Sequence, residues 1–197
     1  MSPRNFEKDK ELRAERRQQL LEAAMHVIAR RGLPATKIAD IAAAAKMSVG
    51  SIYNYFRSKE EIFQALVENG QQEYRTFVEE ALSLESTPYE KLHWYTSNWL
   101  VYRNGWAITV LLQYARTSEA VPAELTQAVS SRFIDNLRPM ASIIAEGQQA
   151  GVFKDGDSTQ LALIYVSMME GLILHDIPGI HEIAALTPDR MLSLLLK

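Results

Sequence analysis

The sequence predicts an all-α protein with an N-terminal three-helix head of the helix-turn-helix type and a larger helical body. Apolar residues recur at helical spacing along nearly the whole chain. Residues that favour helix N-termini precede many of these periodic segments, and basic residues concentrate at one end of the chain. We therefore expect about nine to ten helices, with the head in residues 1–60 and the body in residues 61–197.

The distribution of charge separates these two parts. Residues 1–60 contain twelve Lys/Arg and seven Asp/Glu (+5), and residues 61–197 contain nine and seventeen (−8), which together give the net charge of −3. A basic head on an acidic body indicates that the head alone meets a polyanion such as DNA.

Composition excludes several classes of protein. Cysteine is absent, so disulfides, Cys-ligated zinc and thiol catalysis are excluded. No apolar run reaches the roughly 18–20 residues that a membrane span requires, and the charged N-terminus lacks the apolar stretch of a signal peptide. We therefore expect a soluble, cytoplasmic protein with no membrane contact.

Neither a metal site nor catalysis is predicted. The histidines are scattered, and no two of them are three or four residues apart: His26, His93, His175 and His181. The chain contains no nucleophile motif, phosphate-binding glycine loop or dinucleotide fingerprint. We expect no cofactor and no enzymatic activity.

The first helix is expected from about Leu12 to Arg31, after a polar, mobile arm in residues 1–12. Arginines in its last turn suit the helix dipole, and Gly32 can close it. Pro34 then prevents simple continuation of the helix.

Three shorter signals define the rest of the head. The second and third helices are expected at Thr36–Lys46 and Ser48–Phe56, each capped by a hydroxyl side chain. The segment Ser58-Lys59-Glu60-Glu61 fits a capping box, and the long fourth helix that it opens should run toward Leu82.

The body should contain five further helices. A capping box at Thr87-Pro88-Tyr89-Glu90 begins a helix that runs to about Asn104. The remaining ones are expected at Trp106–Arg116, from Pro122 to near Gly151 with a bend at Pro139, at 157–174, and after Thr187-Pro188.

The stretch TKIADIAAAAKMSVGSIYNYFRSK, residues 36–59, indicates a helix-turn-helix. Its recognition helix needs a polar outer face with short side chains at its start, because that end enters the major groove. Four residues meet this requirement: Ser48, Gly50, Ser51 and Asn54. Tyr53 and Tyr55 add hydroxyls that can reach phosphates.

The same residues resemble the DNA-binding head of TetR-type repressors. The resemblance covers about residues 15–70, and its specific part is the segment YNYFRSKEEIF. It implies that Thr36 and Lys37 begin the supporting helix and face the DNA backbone, and that Tyr55 and Lys59 contact phosphates. It also assigns a set of residues to the recognition helix: Ser48, Val49, Gly50, Ser51, Tyr53 and Asn54.

The chain departs from the family at Lys46, where the turn commonly has glycine. If this position is left-handed, lysine costs on the order of 1 kcal/mol more than glycine.

An aromatic stretch in the body predicts a pocket for a small-molecule effector. All three tryptophans lie in residues 94–114. The candidate lining residues are Trp94, Tyr95, Asn98, Trp99, Tyr102, Arg103, Trp106, Tyr114, Met140, Met168 and Met169. Packing of these residues in a plain core is the alternative. Burial of Arg103 or Arg116 would favour an anionic effector.

The resemblance implies a homodimer, in which the helices at 122–150 and 157–174 form a four-helix bundle with a twofold mate. The candidate interface residues are Val129, Phe133, Leu137, Ile144, Leu161, Ile164, Tyr165, Met168 and Leu172. Two recognition helices that read a palindrome also provide the specificity that one cannot.

The sequence is thus interpreted as a transcriptional repressor that binds a palindromic operator in double-stranded DNA and is released by a largely hydrophobic effector. One alternative is a DNA-binding protein of the same fold that is regulated by a protein partner without an effector. A helical lipid carrier is a third interpretation.

Overall fold

The computed structural model describes residues 3–102, 104–174 and 186–197 and confirms the predicted all-α fold. The described residues form nine helices: α1 Pro3–Arg31, α2 Ile38–Ala44, α3 Val49–Tyr53, α4 Lys59–Ser83, α5 Pro88–Val101, α6 Gly105–Thr117, α7 Ala123–Gln149, α8 Ser158–Leu174 and α9 Pro188–Leu192. The chain divides into two compact units, Met1–Asn69 and Gly70–Lys197. No helix among these residues combines the length and apolar character that crossing a bilayer requires.

Helix α1 begins at Pro3 and not near Leu12, so the expected mobile arm was wrong. The added turns have no apolar stripe and are rich in Glu, Lys and Arg, which favour helix. Adding residues to an existing helix costs little compared with nucleating it, so a polar segment can continue a packed helix. Gly32 ends α1 as predicted, with a φ of 77° and an N–H that donates to the Ile28 carbonyl oxygen at 2.8 Å.

Lys37, and not Thr36, is the N-cap of α2. The Lys37 N–H donates to Asp40 Oδ2 at 3.0 Å. Thr36 is 1% exposed, and its hydroxyl donates to the Gly32 carbonyl oxygen at 2.8 Å. The sequence favoured threonine because its side chain is a good cap, but here that side chain closes the α1–α2 connection.

The other predicted caps are present. Ser48 Oγ accepts from the Ser51 N–H at 3.1 Å, Ser58 Oγ accepts from the Glu61 N–H at 3.2 Å, and Thr87 forms a reciprocal capping box with Glu90. Each cap satisfies backbone N–H groups that the first turn of a helix leaves unpaired. Local side-chain chemistry therefore sets where these helices begin.

The core of the second unit is formed by α5, α7, α8 and α9 together with the last turns of α4. Phe153 is fully buried after α7, and its ring occupies the space that a Cβ at Gly147 would need. Pro139 lies inside α7, which continues on both sides of it. Large apolar side chains of this unit remain exposed on α7 and α8 and also at Val101, Leu186 and Leu194.

Four of the predicted dimer-interface residues are buried within the subunit, which corrects that prediction: Val129, Leu137, Ile144 and Tyr165. The Tyr165 hydroxyl forms a hydrogen bond with the Thr96 hydroxyl inside the core. Phe133, Leu161, Met168 and Leu172 are half-buried against the core, and Ile164 is 64% exposed. Because α8 is apolar on most of its circumference, helical periodicity could not identify its outer face.

We predict that Lys46→Gly stabilises the first unit. Lys46 has a φ of 55° and is the one non-glycine residue with positive φ in the described ranges. Glycine removes the clash between Cβ and the backbone, which is worth about 1 kcal/mol at such a position. Urea unfolding followed by circular dichroism measures the gain. The control Lys46→Ala removes the same charge but retains the Cβ, and an equal gain in that variant would contradict the explanation.

Candidate nucleic-acid interface and aromatic cluster

The N-terminal end of α3 presents a small, mixed polar and apolar surface. Val49 is 42% exposed and Tyr53 is 53% exposed, with Gly50 and Asn54 also on the surface. The hydroxyls of Ser48 and half-buried Ser51 lie 2.8 Å apart. Hydroxyls can donate to or accept from base edges, and a valine methyl can contact a thymine methyl. This surface therefore has the groups that reading the major groove requires.

Gly50 keeps this surface flat. A Cβ built at Gly50 would meet only Ser48 Oγ, at 4.0 Å, so the fold leaves room for a side chain there. The absence of a side chain instead allows another molecule to approach the α3 backbone closely.

Lys59 clamps the connection between α1 and α2. Its ammonium group donates to the carbonyl oxygens of Leu33, Pro34 and Thr36 at 2.8, 2.9 and 3.0 Å. An ammonium group has three N–H donors, and these three contacts use all of them. The side chain is thus directed at the protein backbone and not at a phosphate as the resemblance implied. Spacing could not reveal a contact between residues 23 to 26 positions apart.

The residues predicted to face the DNA backbone differ in exposure. Lys37 is exposed at the start of α2, whereas Thr36 is buried and cannot reach DNA with its side chain. Tyr55 is half-buried, with the Arg13 guanidinium carbon 5.9 Å from its ring centroid. Lys37 and Tyr55 therefore remain candidates for phosphate contacts, together with the backbone amides at the start of α4.

A charged network supports the start of α2. The hydrogen bond from the Lys37 N–H, together with Arg31 at 2.8 Å from Asp40 Oδ1, holds the pKa of the Asp40 carboxyl below its usual value. The carboxylate therefore remains charged at neutral pH and fixes the first turn of α2, which orients α2 beneath α3.

Comparison with known proteins agrees with this geometry. Residues 20–66 match the family described as bacterial regulatory proteins, tetR family. The match spans the later turns of α1, the whole α2–α3 segment and the start of α4, so this part of the chain is similar to that family.

Similarity to individual relatives extends into the second unit. The chain is 29% identical over 147 residues to the fatty acid metabolism regulator protein of Bacillus subtilis (strain 168), which covers 73% of this chain and 74% of the relative. The structure of the ketosteroid transcriptional regulator KstR2 of Mycobacterium tuberculosis has a TM-score of 0.73 and 23% identity, with coverage of 92% and 95%.

A third comparison is with AibR in complex with isovaleryl coenzyme A and operator DNA. It gives a TM-score of 0.68 and 21% identity, with 90% of this chain and 94% of AibR covered. At these identities, the two structural similarities indicate a shared TetR fold.

The second unit contains an aromatic cluster, which we define as Tyr74, Phe77, Trp94, Tyr95, Trp99 and Tyr102. Tyr95 stacks on Trp99 with 6.3 Å between ring centroids, and Tyr74 meets Trp99 edge-on at 5.8 Å. Burial raises the pKa of the Tyr74 and Tyr95 hydroxyls, which therefore stay protonated. Two of the six residues, Tyr74 and Phe77, lie on α4 and were missed by the sequence reasoning, which considered only residues after 90.

Trp99 brings an unsatisfied donor into this cluster. The residue is 4% exposed, and its indole N–H has no hydrogen-bond acceptor among the described residues. Burying a donor without an acceptor costs about 1–3 kcal/mol. A ligand oxygen could accept this hydrogen bond, so the indole N–H is a candidate anchor for an effector.

The other predicted pocket residues lie in several environments. Tyr95, Met140 and Met169 are buried, whereas Trp94, Tyr102, Trp106, Tyr114 and Met168 are half-buried. The Tyr102 hydroxyl donates to Glu73, and the Asn98 amide donates to the Trp94 carbonyl oxygen of its own helix at 2.8 Å. Arg103 lies outside the described residues.

Arg116 is largely buried, which was expected to favour an anionic effector, but its contacts do not support that expectation. Its guanidinium lies 3.3 Å from Glu170 Oε2, and both side chains are less than one-fifth exposed. The guanidinium carbon also lies 4.6 Å from the centroid of the Phe133 ring. The positive charge is therefore already balanced within the subunit.

We predict that Gly50→Ala abolishes specific DNA binding while the protein stays folded. Alanine fits the space at this position and favours helix over glycine by about 0.5–1 kcal/mol, but its methyl group prevents close approach of α3 to base edges. Fluorescence anisotropy with labelled DNA and a thermal melt measure the two effects. Gln149→Ala, an exposed change in the second unit, serves as the control, and unchanged DNA affinity in Gly50→Ala would contradict the interface.

We predict that Lys59→Met destabilises the first unit by about 1.5–3 kcal/mol, because it removes charge-assisted hydrogen bonds to three carbonyl groups. Urea unfolding measures the loss. The matched control is Lys37→Met, which removes an exposed lysine that does not clamp the loop and should change stability by less than about 0.5 kcal/mol. If Lys59→Met weakened DNA binding and left stability unchanged, a phosphate contact would be the correct assignment.

Proposed function

We propose that this protein is a repressor that binds a palindromic operator as a homodimer and is released by a small, largely hydrophobic effector. It would act in the cytoplasm, where operator DNA is accessible. The observation on which the proposal mainly depends is the exposed N-terminal surface of α3, in a segment that matches the tetR family.

The DNA contacts are assigned by exposure. Direct base contacts are proposed for the outer face of α3: Ser48, Val49, Gly50, Ser51, Tyr53 and Asn54. Lys37 and Tyr55 would bind phosphates and fix the position of the head on the duplex. Thr36 and Lys59 would act indirectly, by holding the α1–α2 connection in place.

An exposed apolar surface on α7 and α8 supports a homodimer. Ile134, Leu163 and Ile164 are 60, 43 and 64% exposed, and Leu174 is 38% exposed. A Cβ at Gly171 would meet no atom within 4 Å, which leaves room for a partner helix. Burial of such a face against a second copy would remove it from water. Two linked heads would also multiply the specificity of one short recognition helix.

The aromatic cluster supports a hydrophobic effector that has a hydrogen-bond acceptor. Its rings provide apolar surface, and the Trp99 indole N–H provides a donor for a carbonyl oxygen. The relatives named above are a fatty acid metabolism regulator, a ketosteroid regulator and a complex with isovaleryl coenzyme A. We propose an acyl compound, such as a fatty acid or its thioester.

Helix α4 would transmit the signal. Its first residue is Lys59, which donates hydrogen bonds to the connection before α2. Its later turns include Tyr74 and Phe77 of the aromatic cluster. An effector that displaces these rings would shift α4 and, through Lys59, the head. A hundredfold loss of DNA affinity requires about 2.7 kcal/mol of preference for the released conformation.

The proposal is tested by selecting bound sequences from random double-stranded DNA and then adding candidate effectors. The selection should enrich a palindrome. Acyl-CoA thioesters from isovaleryl to palmitoyl, the matching free acids and a ketosteroid are then titrated into the complex, and at least one acyl compound should release the DNA. In Trp99→Phe, the concentration needed for release should rise about five- to tenfold, as expected for one lost hydrogen bond.

Trp94→Phe is the matched control, because it shortens a half-buried tryptophan of the same cluster and should leave the response unchanged. Enrichment of a palindrome without release by any compound would favour regulation by a protein partner. No enriched sequence would refute the repressor, and a compound bound without any effect on DNA would favour the lipid carrier.

A further inference from the structure

The first half of α1 contributes little to the packed core of the first unit. Residues 7–19 are all exposed, and Leu20 is the first buried residue of the helix. At about 1.5 Å per residue, the exposed stretch is about 20 Å long. Most helices in proteins are stabilised by packing of an apolar face, and this stretch has none, so packing within the unit does not explain its exposed side chains.

Charges on this stretch are sorted onto different faces of the helix. An acidic stripe with a spacing of four residues is formed by Glu7, Glu11 and Glu15. A basic stripe with spacings of three and four is formed by Lys10, Arg13 and Arg17. With about 3.6 residues per turn, the centres of the two stripes lie about 130° apart around α1.

Contacts within the first unit show which way the basic stripe faces. The Arg13 guanidinium donates to the Asn54 carbonyl oxygen at 3.3 Å and lies over the Tyr55 ring. The Arg17 guanidinium carbon lies 4.9 Å from the centroid of the Phe56 ring. The basic stripe therefore faces the C-terminal end of α3, and Lys10 continues it one turn further toward the N-terminus.

We infer that Lys10 and the turns of α1 around it bind the phosphate backbone of DNA beside the bases that α3 reads. The inference rests on the proposed function, because it needs α3 in the major groove. The end of a recognition helix lies close to the groove wall, which is a line of phosphates. A helix fixed to that end by Arg13 and Arg17 presents Lys10 to the adjoining backbone.

Charge favours DNA as the occupant of this face. The basic stripe is complementary to phosphates, and the acidic stripe is centred about 130° away around the helix, with Glu7 three residues before Lys10. Phosphate contacts of this kind add affinity without sequence preference.

The test compares Lys10→Gln with Lys8→Gln in the full-length protein. Both residues are exposed lysines of the same turn, but Lys8 lies on the side of the acidic stripe. Affinity for the selected operator is measured by anisotropy at several salt concentrations. Lys10→Gln should weaken binding several-fold and reduce the slope of log affinity against log salt by about one per bound protomer, and Lys8→Gln should change neither.

Equal changes in the two variants would overturn the inference, because they would reflect net charge and not a contact. No change in Lys10→Gln would also overturn it. In both cases, wild-type binding to the operator and its loss in Gly50→Ala would leave the proposed function standing. Failure of the wild-type protein to bind any DNA would instead refute the proposed function itself.

Discussion

The first unit depends on one charged side chain. The Lys59 ammonium group holds three backbone carbonyls of the α1–α2 connection, which the Thr36 hydroxyl and the Arg31–Asp40 ion pair also support. Helices α2 and α3 have seven and five residues, too short to be stable alone in water. Their positions therefore depend on α1, on α4 and on the clamp that ties the loop to α4. A DNA-reading surface needs this rigidity, because base contacts fail when side chains are displaced by about an ångström.

In the proposed mechanism, the same clamp would couple α4 to the α1–α2 connection. Packing contacts alone would allow α4 to shift without moving the head. The first residue of α4 is Lys59, whose ammonium group donates hydrogen bonds to the α1–α2 connection. Movement of α4 would thus be passed directly to α2 and α3. The aromatic cluster, to which α4 contributes Tyr74 and Phe77, has the opposite character, since it consists of large rings, buried hydroxyls and one indole N–H that has no acceptor among the described residues. A regulator benefits from both properties, a firmly held reading surface and an interior in which a ligand can replace unfavourable burial.

Local signals in the sequence predicted the order of the described helices, apart from the start of α1 and the N-cap of α2. Caps at Ser48, Ser58 and Thr87 depend on neighbouring residues, so they could be predicted from spacing. The role of Lys59 and the burial of Thr36 depend on contacts between distant residues, and no spacing rule reveals them. Buried residues were included among the predicted dimer contacts for a related reason, because α8 is apolar on most sides and only packing shows that Tyr165 points inward and Ile164 outward. The start of α1 was missed because a polar helix without a buried face has no periodic signal.

Amide hydrogen exchange tests most directly whether the exposed end of α3 is where this protein meets DNA. The exchange of the full-length protein is compared with and without the selected operator. We expect slower exchange at residues 48–54, where α3 is short and its first amides have no helical partner, with little change in α5 and α6. Unchanged exchange at residues 48–54, with protection confined to the second unit, would contradict this interface.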